Sequence, residues 1–179
     1  IGCDPMDVLV SSTGVIGQTI NVQVIEDGMP ELYAALGDTG EASDAAAHAI
    51  MTTDTVKKEV AVETTVGGKT VRMGGIAKGS GMIHPNMATM LCFITTDANI
   101  ESKMLKNALL DVVDDSFNML SVDGDTSTND TVAILASGEA KNKRIEEKNE
   151  DYENFVSALA TISEKIVKLM AKDGEGATK

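Results

Sequence analysis

The stretch from Gly74 to Asp97 carries the residues best suited to chemistry. It is a glycine-rich segment with one lysine, Lys78, and it reaches Ala88 and Thr89 just before an apolar, strand-like run. Threonine becomes a nucleophile when a base lies beside its hydroxyl, and a chain break that frees the threonine's own α-amine supplies such a base. The pattern therefore suits a self-cleaving segment with Thr89 as the nucleophile.

Two loops resemble ligand sites at first sight, and both fail on spacing. Residues 74–80 are rich in glycine, but Lys78 precedes Gly79, so the residue order of a phosphate-binding loop is absent. Residues 123–130 place aspartates at calcium-loop spacing, yet the sixth position is not glycine and the twelfth is not glutamate. We expect this second loop to satisfy its own backbone, with a supporting role beside an active site as the alternative.

Three short polar segments each allow a functional and a structural interpretation. Thr13 and Gly14 follow an apolar run, where backbone amides can face an oxyanion or simply form a turn. Thr52 lies where an alanine-rich helix is predicted to end, and Glu175 lies in the cap that follows the last predicted helix. Local sequence alone leaves both interpretations open for each of them.

Histidines and cysteines are few and widely spaced. His48 and His84 are the only histidines, and Cys3 and Cys92 are the only cysteines. None stands at metal-ligand spacing, and no G-x-S-x-G nucleophile elbow accompanies the histidines. We therefore predict no metal site and no disulfide framework.

Composition and length bound the remaining possibilities. A net charge of −13 argues against a nucleic-acid partner, which needs clustered Lys and Arg. Residues 1–179 suffice for one domain, and no apolar run approaches the ~18 residues of a membrane-spanning helix, so no membrane partner is expected. The chain begins with Ile1 and lacks a signal segment, which suggests a piece of a longer, cytoplasmic protein.

Apolar periodicity predicts alternating strands and helices, and hence a mixed α/β class. The glycine pair at 67–68 predicts a hairpin, and a helix from Glu41 to Met51 is expected to be capped at Thr39 or Ser43. The other predicted elements are strands at 7–11, 59–66, 70–73, from 89 and at 131–136, and helices at 30–36, from about 100 and at 152–172. The predicted core stripes of the last two helices are Leu105, Leu109, Val112 or Val113 and Phe117, and Phe155, Leu159, Ile162, Ile166 and Leu169.

Five segments resemble, in order, the ornithine acetyltransferases, the ArgJ family of arginine biosynthesis. They are S-S-T-G-V-I-G at 11–17, A-I-M-T-T-D-T at 49–55, K-G-S-G-M-I-H-P-N-M-A-T-M-L with T-T-D-A at 78–98, S-V-D-G-D-T-S-T-N-D at 121–130 and D-G-E-G-A-T-K at 173–179. Five ordered motifs are far more specific than any one of them. Residues 18–24 depart from the usual continuation, and family members extend beyond both ends of this chain.

The resemblance implies a fold and a chain break. The fold is the DmpA/ArgJ-like αββα sandwich, an α/β (α+β) architecture similar to the N-terminal-nucleophile hydrolases. Family members cut their precursor between Ala and Thr, which here matches the bond from Ala88 to Thr89. Residues 1–88 then end the α-chain portion, and residues 89–179 begin the β-chain portion.

The resemblance also implies roles for individual residues. Thr89 matches the nucleophile, and Thr13 and Gly14 match the oxyanion hole. Thr52, Lys78, Thr89 and Glu175 match substrate-binding positions.

The activity that the resemblance implies is transfer of acetyl from N2-acetylornithine to glutamate through an acetyl-threonine intermediate. It implies no metal and no cofactor, although some members also use acetyl-CoA, and it implies an α2β2 assembly of the cleaved chains. One alternative is a related self-cleaving aminopeptidase or amidase on the same fold. The other is a catalytically inert fragment that acts as a binding module.

Overall fold

The computed structural model describes residues 2–83, 90–125, 127 and 129–177. The helices are α1 (Val22–Ala34), α2 (Gly40–Ala49), α3 (Ser102–Val113) and α4 (Glu150–Lys172), with short 3₁₀ helices at Pro5–Asp7 and Phe117–Met119. The strands are β1 (Lys58–Val66), β2 (Lys69–Lys78), β3 (Leu91–Thr96) and β4 (Thr131–Ala136). No helix in these described ranges is long and apolar enough to cross a membrane.

The strands form one four-stranded sheet in the order β1-β2-β3-β4. β1, β2 and β3 are antiparallel neighbours, whereas β3 and β4 run parallel and are joined through α3. The predicted hairpin is confirmed, because Val66 pairs with Lys69 around Gly67 and Gly68. Both glycines have positive φ, at +55° and +72°, which glycine adopts without a side-chain clash.

The glycine-rich segment after the hairpin is a strand where we expected an irregular stretch. β2 continues through Gly74 and Gly75 to Lys78, well beyond the predicted end at Met73. Gly75 faces α4, and a Cβ atom there would lie 2.8 Å from Ile166 Cδ1. Glycine at this position therefore lets the helix approach the strand closely.

α4 packs along β1 and β2 and supplies more buried core residues than any other element of the described structure. Its predicted stripe is confirmed at Phe155, Leu159, Ile162 and Ile166, all fully buried. In the last turn Met170 is buried, and the predicted Leu169 is only half-buried. The helix begins at an Asn149 side-chain cap, which accepts from the Tyr152 amide at 3.0 Å.

α3 confirms Val112, one of the two predicted alternatives, but its other buried residues lie one position before the predicted Leu105 and Leu109. Met104, Ala108 and Val112 are buried, and the predicted Leu105 and Leu109 are half-buried. Both rows are apolar at helical spacing, so the sequence pattern did not distinguish them. Phe117 is buried as predicted, but it lies in the 3₁₀ helix that follows α3.

α4 covers one face of the sheet at β1 and β2 and α3 packs beside α4, whereas the opposite face is exposed or half-buried along most of its length. Sheet and helices therefore form two adjacent layers, and the predicted α/β class is confirmed. These are one sheet and one helical layer of the αββα sandwich that the resemblance implies. The division into one domain over residues 1–179 stays a prediction.

The N-terminal stretch, residues 2–53, departs most from the sequence expectations. The predicted buried strand at 7–11 is wrong, because residues 8–11 belong to no strand and Leu9 and Val10 are exposed. α1 begins at Val22 and holds Pro30 in its interior, whereas we expected a helix that starts at this proline. α2 is confirmed, and its N-cap is Thr39, whose hydroxyl accepts from the Ala42 amide at 3.2 Å.

Candidate active site

A cleft of about 700 Å³ opens where β2 ends, and it gathers predicted site residues from four parts of the chain. Thr13, Gly14, Thr52, Lys78 and Glu175 are all among its lining residues. These residues are up to 162 positions apart, from Thr13 to Glu175. The fold thus places five residues that the sequence analysis singled out around one cleft. Local sequence had left the role of each of them open.

Lys78 is the last residue of β2 and is only 3% exposed. Burial lowers its pKa, Asp54 and Glu175 oppose that change, and Lys58 adds to it. An ammonium group with two carboxylates nearby remains a suitable partner for a ligand carboxylate. Lys78 is therefore the cationic group of the cleft.

Glu175 is held against the glycine-rich turn after β2. Its amide donates to the Ser80 carbonyl oxygen at 2.6 Å. A Cβ atom at Gly81 would lie 2.8 Å from the Glu175 carboxyl carbon, so a larger residue would displace this carboxylate. Gly81 is required here for a close approach, and it sets where the negative charge lies.

The segment that carries Thr52 is fixed by a buried aspartate. Asp54 accepts from the Thr52 amide at 3.1 Å and from the Gly79 amide at 2.7 Å. Thr53 and Ser80 add a hydroxyl–hydroxyl hydrogen bond of 2.7 Å. The exit of α2 and the end of β2 are therefore tied together beside Lys78.

Asp123 also lines the cleft, in the loop for which a supporting role beside an active site was the alternative prediction. Its carboxylate accepts from the Met82 amide at 2.5 Å and the Ile83 amide at 3.0 Å. Burial would raise the pKa of Asp123, but these hydrogen bonds and one from the Asp125 amide hold it below its ordinary value. Asp123 and Ser127 also accept from the Asp125 and Asn129 amides within the loop, so the predicted self-capping is confirmed and the predicted supporting role accompanies it.

Asp130 makes the matching contact at the head of β3. Its carboxylate accepts from the Met90 amide at 2.8 Å, and the Thr131 amide donates to the Met90 carbonyl oxygen at 3.0 Å. Burial raises the pKa of Asp130, and the Met90 hydrogen bond opposes that change. The two ends of the loop, Asp123 and Asp130, therefore hold the residues before and after positions 84–89.

The proposed cleavage bond and nucleophile lie outside the described residues. This applies to Ala88 and Thr89, and also to His84. Cys92 is fully buried in β3, and burial raises its pKa to about 12, so it is no candidate nucleophile. Within the described ranges, no group of three or more His, Cys, Asp and Glu side chains is arranged to hold a metal ion.

Known proteins resemble this chain over its full length. The ArgJ family profile matches residues 1–179. The arginine biosynthesis bifunctional protein ArgJ 1 of Nostoc sp. is 50% identical over 178 residues, which are 99% of this chain and 43% of that protein. The glutamate N-acetyltransferase of Methanocaldococcus jannaschii is 55% identical over 175 residues, which are 97% of this chain and 42% of that protein.

A solved structure shows the same sequence relationship. The crystal structure of arginine biosynthesis bifunctional protein argJ from Bacillus halodurans is 48% identical, with a TM-score of 0.47. The match covers 49% of this chain and 41% of that chain.

The chain spans about two fifths of the length of its curated relatives. The share is 43% for the Nostoc protein and 42% for the Methanocaldococcus protein.

Proposed function

Because this chain belongs to the ArgJ family, we propose that it supplies part of an acetyltransferase of arginine biosynthesis, which moves acetyl from N2-acetylornithine to glutamate. One observation carries the proposal: a single cleft gathers Thr13, Gly14, Thr52, Lys78 and Glu175. A site for two amino-acid ligands needs a cation, an anion and donors for a developing oxyanion, and this set offers all three.

The nucleophile of the proposed reaction is Thr89, freed by self-cleavage after Ala88. In the intact chain its nitrogen is an amide and is not basic. After the break, the α-amine can take the proton from the threonine hydroxyl as Oγ attacks the acetyl carbonyl. Asp123 and Asp130 support this proposal because they anchor the described residues on both sides, Ile83 and Met90.

Thr13 and Gly14 would stabilise the oxyanion of each tetrahedral intermediate. Negative charge develops on the acetyl oxygen as the hydroxyl attacks, and preorganised donors lower the energy of that state. Loss of one such donor typically costs about 2.7–4 kcal/mol of transition-state stabilisation. This role is consistent with their place in the lining of the cleft, which Lys78 shares.

Two half-reactions then share the cleft. In the first, Oγ of Thr89 bonds to the acetyl carbon, the bond to the ornithine nitrogen breaks, and ornithine leaves with the proton. In the second, the glutamate amine attacks the acetyl-threonine ester, and the hydroxyl regains its proton. One product leaves before the second substrate reacts, so ping-pong kinetics are expected.

Charge complementarity gives Lys78 and Glu175 binding roles. Both substrates are α-amino-acid derivatives with an α-carboxylate, which suits the Lys78 ammonium. Glu175 would pair with an amine of the ligand. Thr52, which also lines the cleft, would contribute a polar contact.

Three features of the whole protein belong to the same proposal. Acetyl-CoA would act as a second acetyl donor, as it does for some family members. The cleaved chains would assemble as α2β2, and the enzyme would work in the cytoplasm. Each is tested by its own measurement: donor competition, mass in solution and cell fractionation.

Acetyl transfer by the complete gene product tests the proposed activity. Isotope-labelled N2-acetylornithine is incubated with glutamate, and labelled N-acetylglutamate is quantified beside free acetate and the products of peptide hydrolysis. We expect N-acetylglutamate with the wild type, none with Thr89→Ala and partial activity with Thr89→Ser. Hydrolysis without transfer would favour the aminopeptidase or amidase instead.

Matched lysine variants test the binding role of Lys78. Lys78→Met should raise the KM for both substrates, because the substrate carboxylate loses its buried ammonium partner. Lys168→Met removes a cation of equal size from an exposed position on α4 and serves as the control. Equal KM values for the two variants would contradict the assignment.

Denaturing mass spectrometry tests the cleavage step. We expect two pieces that meet at Ala88 and Thr89 in the wild type, and one uncut mass in Thr89→Ala. A single uncut mass in an active wild type would contradict the N-terminal amine as base. An uncut and inactive wild type would favour the inert binding module.

A further inference from the structure

Beside the cleft lies a buried cluster of three charges, two of them within the matched motifs at 49–55 and 173–179, to which the proposed chemistry gives no role. The side chains of Lys58 and Asp54 are fully buried, and that of Asp173 is 3% exposed. Lys58 Nζ donates to Asp54 Oδ1 at 2.5 Å and also contacts Asp173. A buried charge is costly unless it is paired, and here one ammonium lies between two carboxylates.

Each carboxylate of the cluster also fixes the backbone of a segment that lines the cleft. Asp54 accepts from the Gly79 amide at 2.7 Å, directly after Lys78. Asp173 accepts from the Thr55 amide at 3.0 Å and from the Thr55 hydroxyl. The three charges therefore connect the end of β2, the segment after α2 and the end of α4.

The geometry of β1 and β2 places the two lysines on opposite sides of one strand pair. Lys58 pairs with Ala77, the residue before Lys78. Neighbouring residues of a strand point to opposite faces, so Lys58 lies on the helix-covered face and Lys78 on the other. Asp54 acts on both, because it binds Lys58 directly and opposes the lowering of the Lys78 pKa that burial causes.

The cluster carries a net charge of −1 when all three groups are ionised. Its excess negative charge lies next to the buried ammonium of Lys78, which burial and the nearby Lys58 both disfavour. The second carboxylate, Asp173, offsets Lys58 and leaves Asp54 able to act on Lys78. A cluster of only Lys58 and Asp54 would be neutral and would lack the excess negative charge beside Lys78.

The cluster also spans the proposed chain break. Asp54 and Lys58 precede the bond between Ala88 and Thr89, and Asp173 follows it. Glu175 lies two residues after Asp173 and belongs to the same portion. After cleavage, Lys78 and Glu175 would therefore sit on different chains, and the cluster would join the two.

We propose that Lys58, Asp54 and Asp173 are positioning residues, which set the spacing of Lys78 and Glu175 in the cleft across the two cleaved chains. The proposal rests on the proposed acetyltransferase function. A buried charge cluster is weak evidence for added stability, because apolar replacements of similar volume are often as stable. A positioning role instead requires that loss of the cluster disturbs distant cleft segments.

Hydrogen–deuterium exchange of the complete gene product tests positioning without any need for activity. Asp173→Asn removes one charge with little change in shape. We expect faster exchange of the amides at 52–56 and 79–83, as well as near the substitution. Ile166→Ala, a fully buried change elsewhere on α4, is the control for a general loss of stability.

Two outcomes decide the exchange experiment. Faster exchange at 52–56 and 79–83 beyond that of Ile166→Ala supports the proposal. Faster exchange confined to 172–177, or equal to that of the control, overturns it. Should Asp173→Asn fail to fold, Thr55→Val removes one hydroxyl contact and leaves all three charges, and the same segments should respond more weakly.

Steady-state kinetics supply the second readout. Asp173→Asn should raise the KM for both substrates by at least about tenfold, which corresponds to about 1.4 kcal/mol of binding. Its kcat should change less, and Ile166→Ala should leave the KM unchanged. An unaltered KM with faster exchange at 52–56 would limit the cluster to a structural role and overturn the proposal. A wild type without acetyl transfer would refute the function, whereas the exchange result would still decide the coupling.

Discussion

The N-terminal stretch, residues 2–53, and the body, residues 54–177 as far as they are described, differ sharply in how they bury apolar side chains. Leu32 of α1 is 59% exposed, whereas Leu159 of α4 is fully buried. α1 buries none of its residues, although it carries valine, isoleucine, leucine and methionine like α4. Apolar content alone therefore does not determine burial. Burial also requires a surface to pack against, which the sheet provides for α4.

Function divides between the two regions in another way. The N-terminal stretch contributes Thr13, Gly14 and Thr52 to the cleft, and the body contributes Lys78 and Glu175. The charged groups thus lie on the packed body, and the proposed oxyanion donors lie on the exposed stretch. The predictions that follow test whether stability also divides along this boundary.

Thiol labelling should show the largest contrast, because each region holds one cysteine. Cys3 is exposed, and Cys92 is buried in β3 with a pKa raised to about 12 by burial. We expect iodoacetamide at pH 8 to modify Cys92 at least about 10³-fold more slowly than Cys3, since Cys92 must await opening of the core. Peptide mass spectrometry of the 179-residue chain measures both rates. Similar rates would erase the contrast, and denaturant should equalise them as a control.

Matched leucine truncations should show the next largest effect. Leu159→Ala removes core contacts and should lower the free energy of unfolding by about 2–5 kcal/mol. Leu32→Ala makes the same chemical change at an exposed site and should alter it by no more than about 0.5 kcal/mol. Urea unfolding followed by circular dichroism measures both. A cost at Leu32 equal to that at Leu159 would show that α1 packs like the body.

Two adjacent glycines of β2 compare the two faces of the sheet. A Cβ at Gly75 would lie 2.8 Å from Ile166 Cδ1, with Ile162 and Ile94 also close. Gly75→Ala should therefore overpack the core and cost about 1–3 kcal/mol. At Gly74 the nearest atom is Thr95 Oγ1 at 3.9 Å, so Gly74→Ala should be close to neutral. Thermal unfolding of both variants checks the difference, and equal losses would mean that the second face is as crowded as the first.

Acid unfolding probes the junction of the two regions and should give the most gradual effect. Burial would raise the pKa of Asp54 and Asp173, but hydrogen bonds, including those from Lys58, hold both below their ordinary value. In the unfolded chain both aspartates have a pKa of about 3.9. The stabilisation from their ionised forms is therefore present above that pH. It is lost as the pH falls through their lower pKa values in the folded protein.

The matched variant isolates one carboxylate of this pair. Asp173→Asn should reduce the slope of stability against pH below about pH 4 by at most about 1.4 kcal/mol per pH unit. Urea midpoints between pH 2.5 and 6 supply the measurement. A slope identical to that of the wild type would show that Asp173 gains no stabilisation from ionisation.

Local signals predicted the elements that depend on local physics. The turn at Gly67 and Gly68 needs positive φ, and the stripe from Phe155 to Ile166 follows helical spacing. The strand predicted at 7–11 failed for the opposite reason. Its apolar residues suit a strand, but a strand forms only where another supplies hydrogen bonds, which the sequence does not display.

The candidate site shows the same limit. Ordered motifs identified Thr13, Lys78 and Glu175, and the fold places them around one cleft. The motifs include Asp54 and Asp173, but they did not predict that both would pair with a buried Lys58, because a lysine four residues after an aspartate usually indicates a solvated surface pair. Burial of Lys58 depends on its contact with Asp173, which follows α4 and lies 115 positions further along the chain. Local sequence does not reveal such a contact.

The pairing of β2 with β3 has a consequence for how many molecules take part in folding. Six residue pairs, from Met73 with Thr96 to Lys78 with Leu91, join these strands across the connection at 79–90. A break within this connection removes none of the six residue pairs, so it leaves their contacts in place. Folding would then become a bimolecular association, and its midpoint of unfolding would rise with protein concentration.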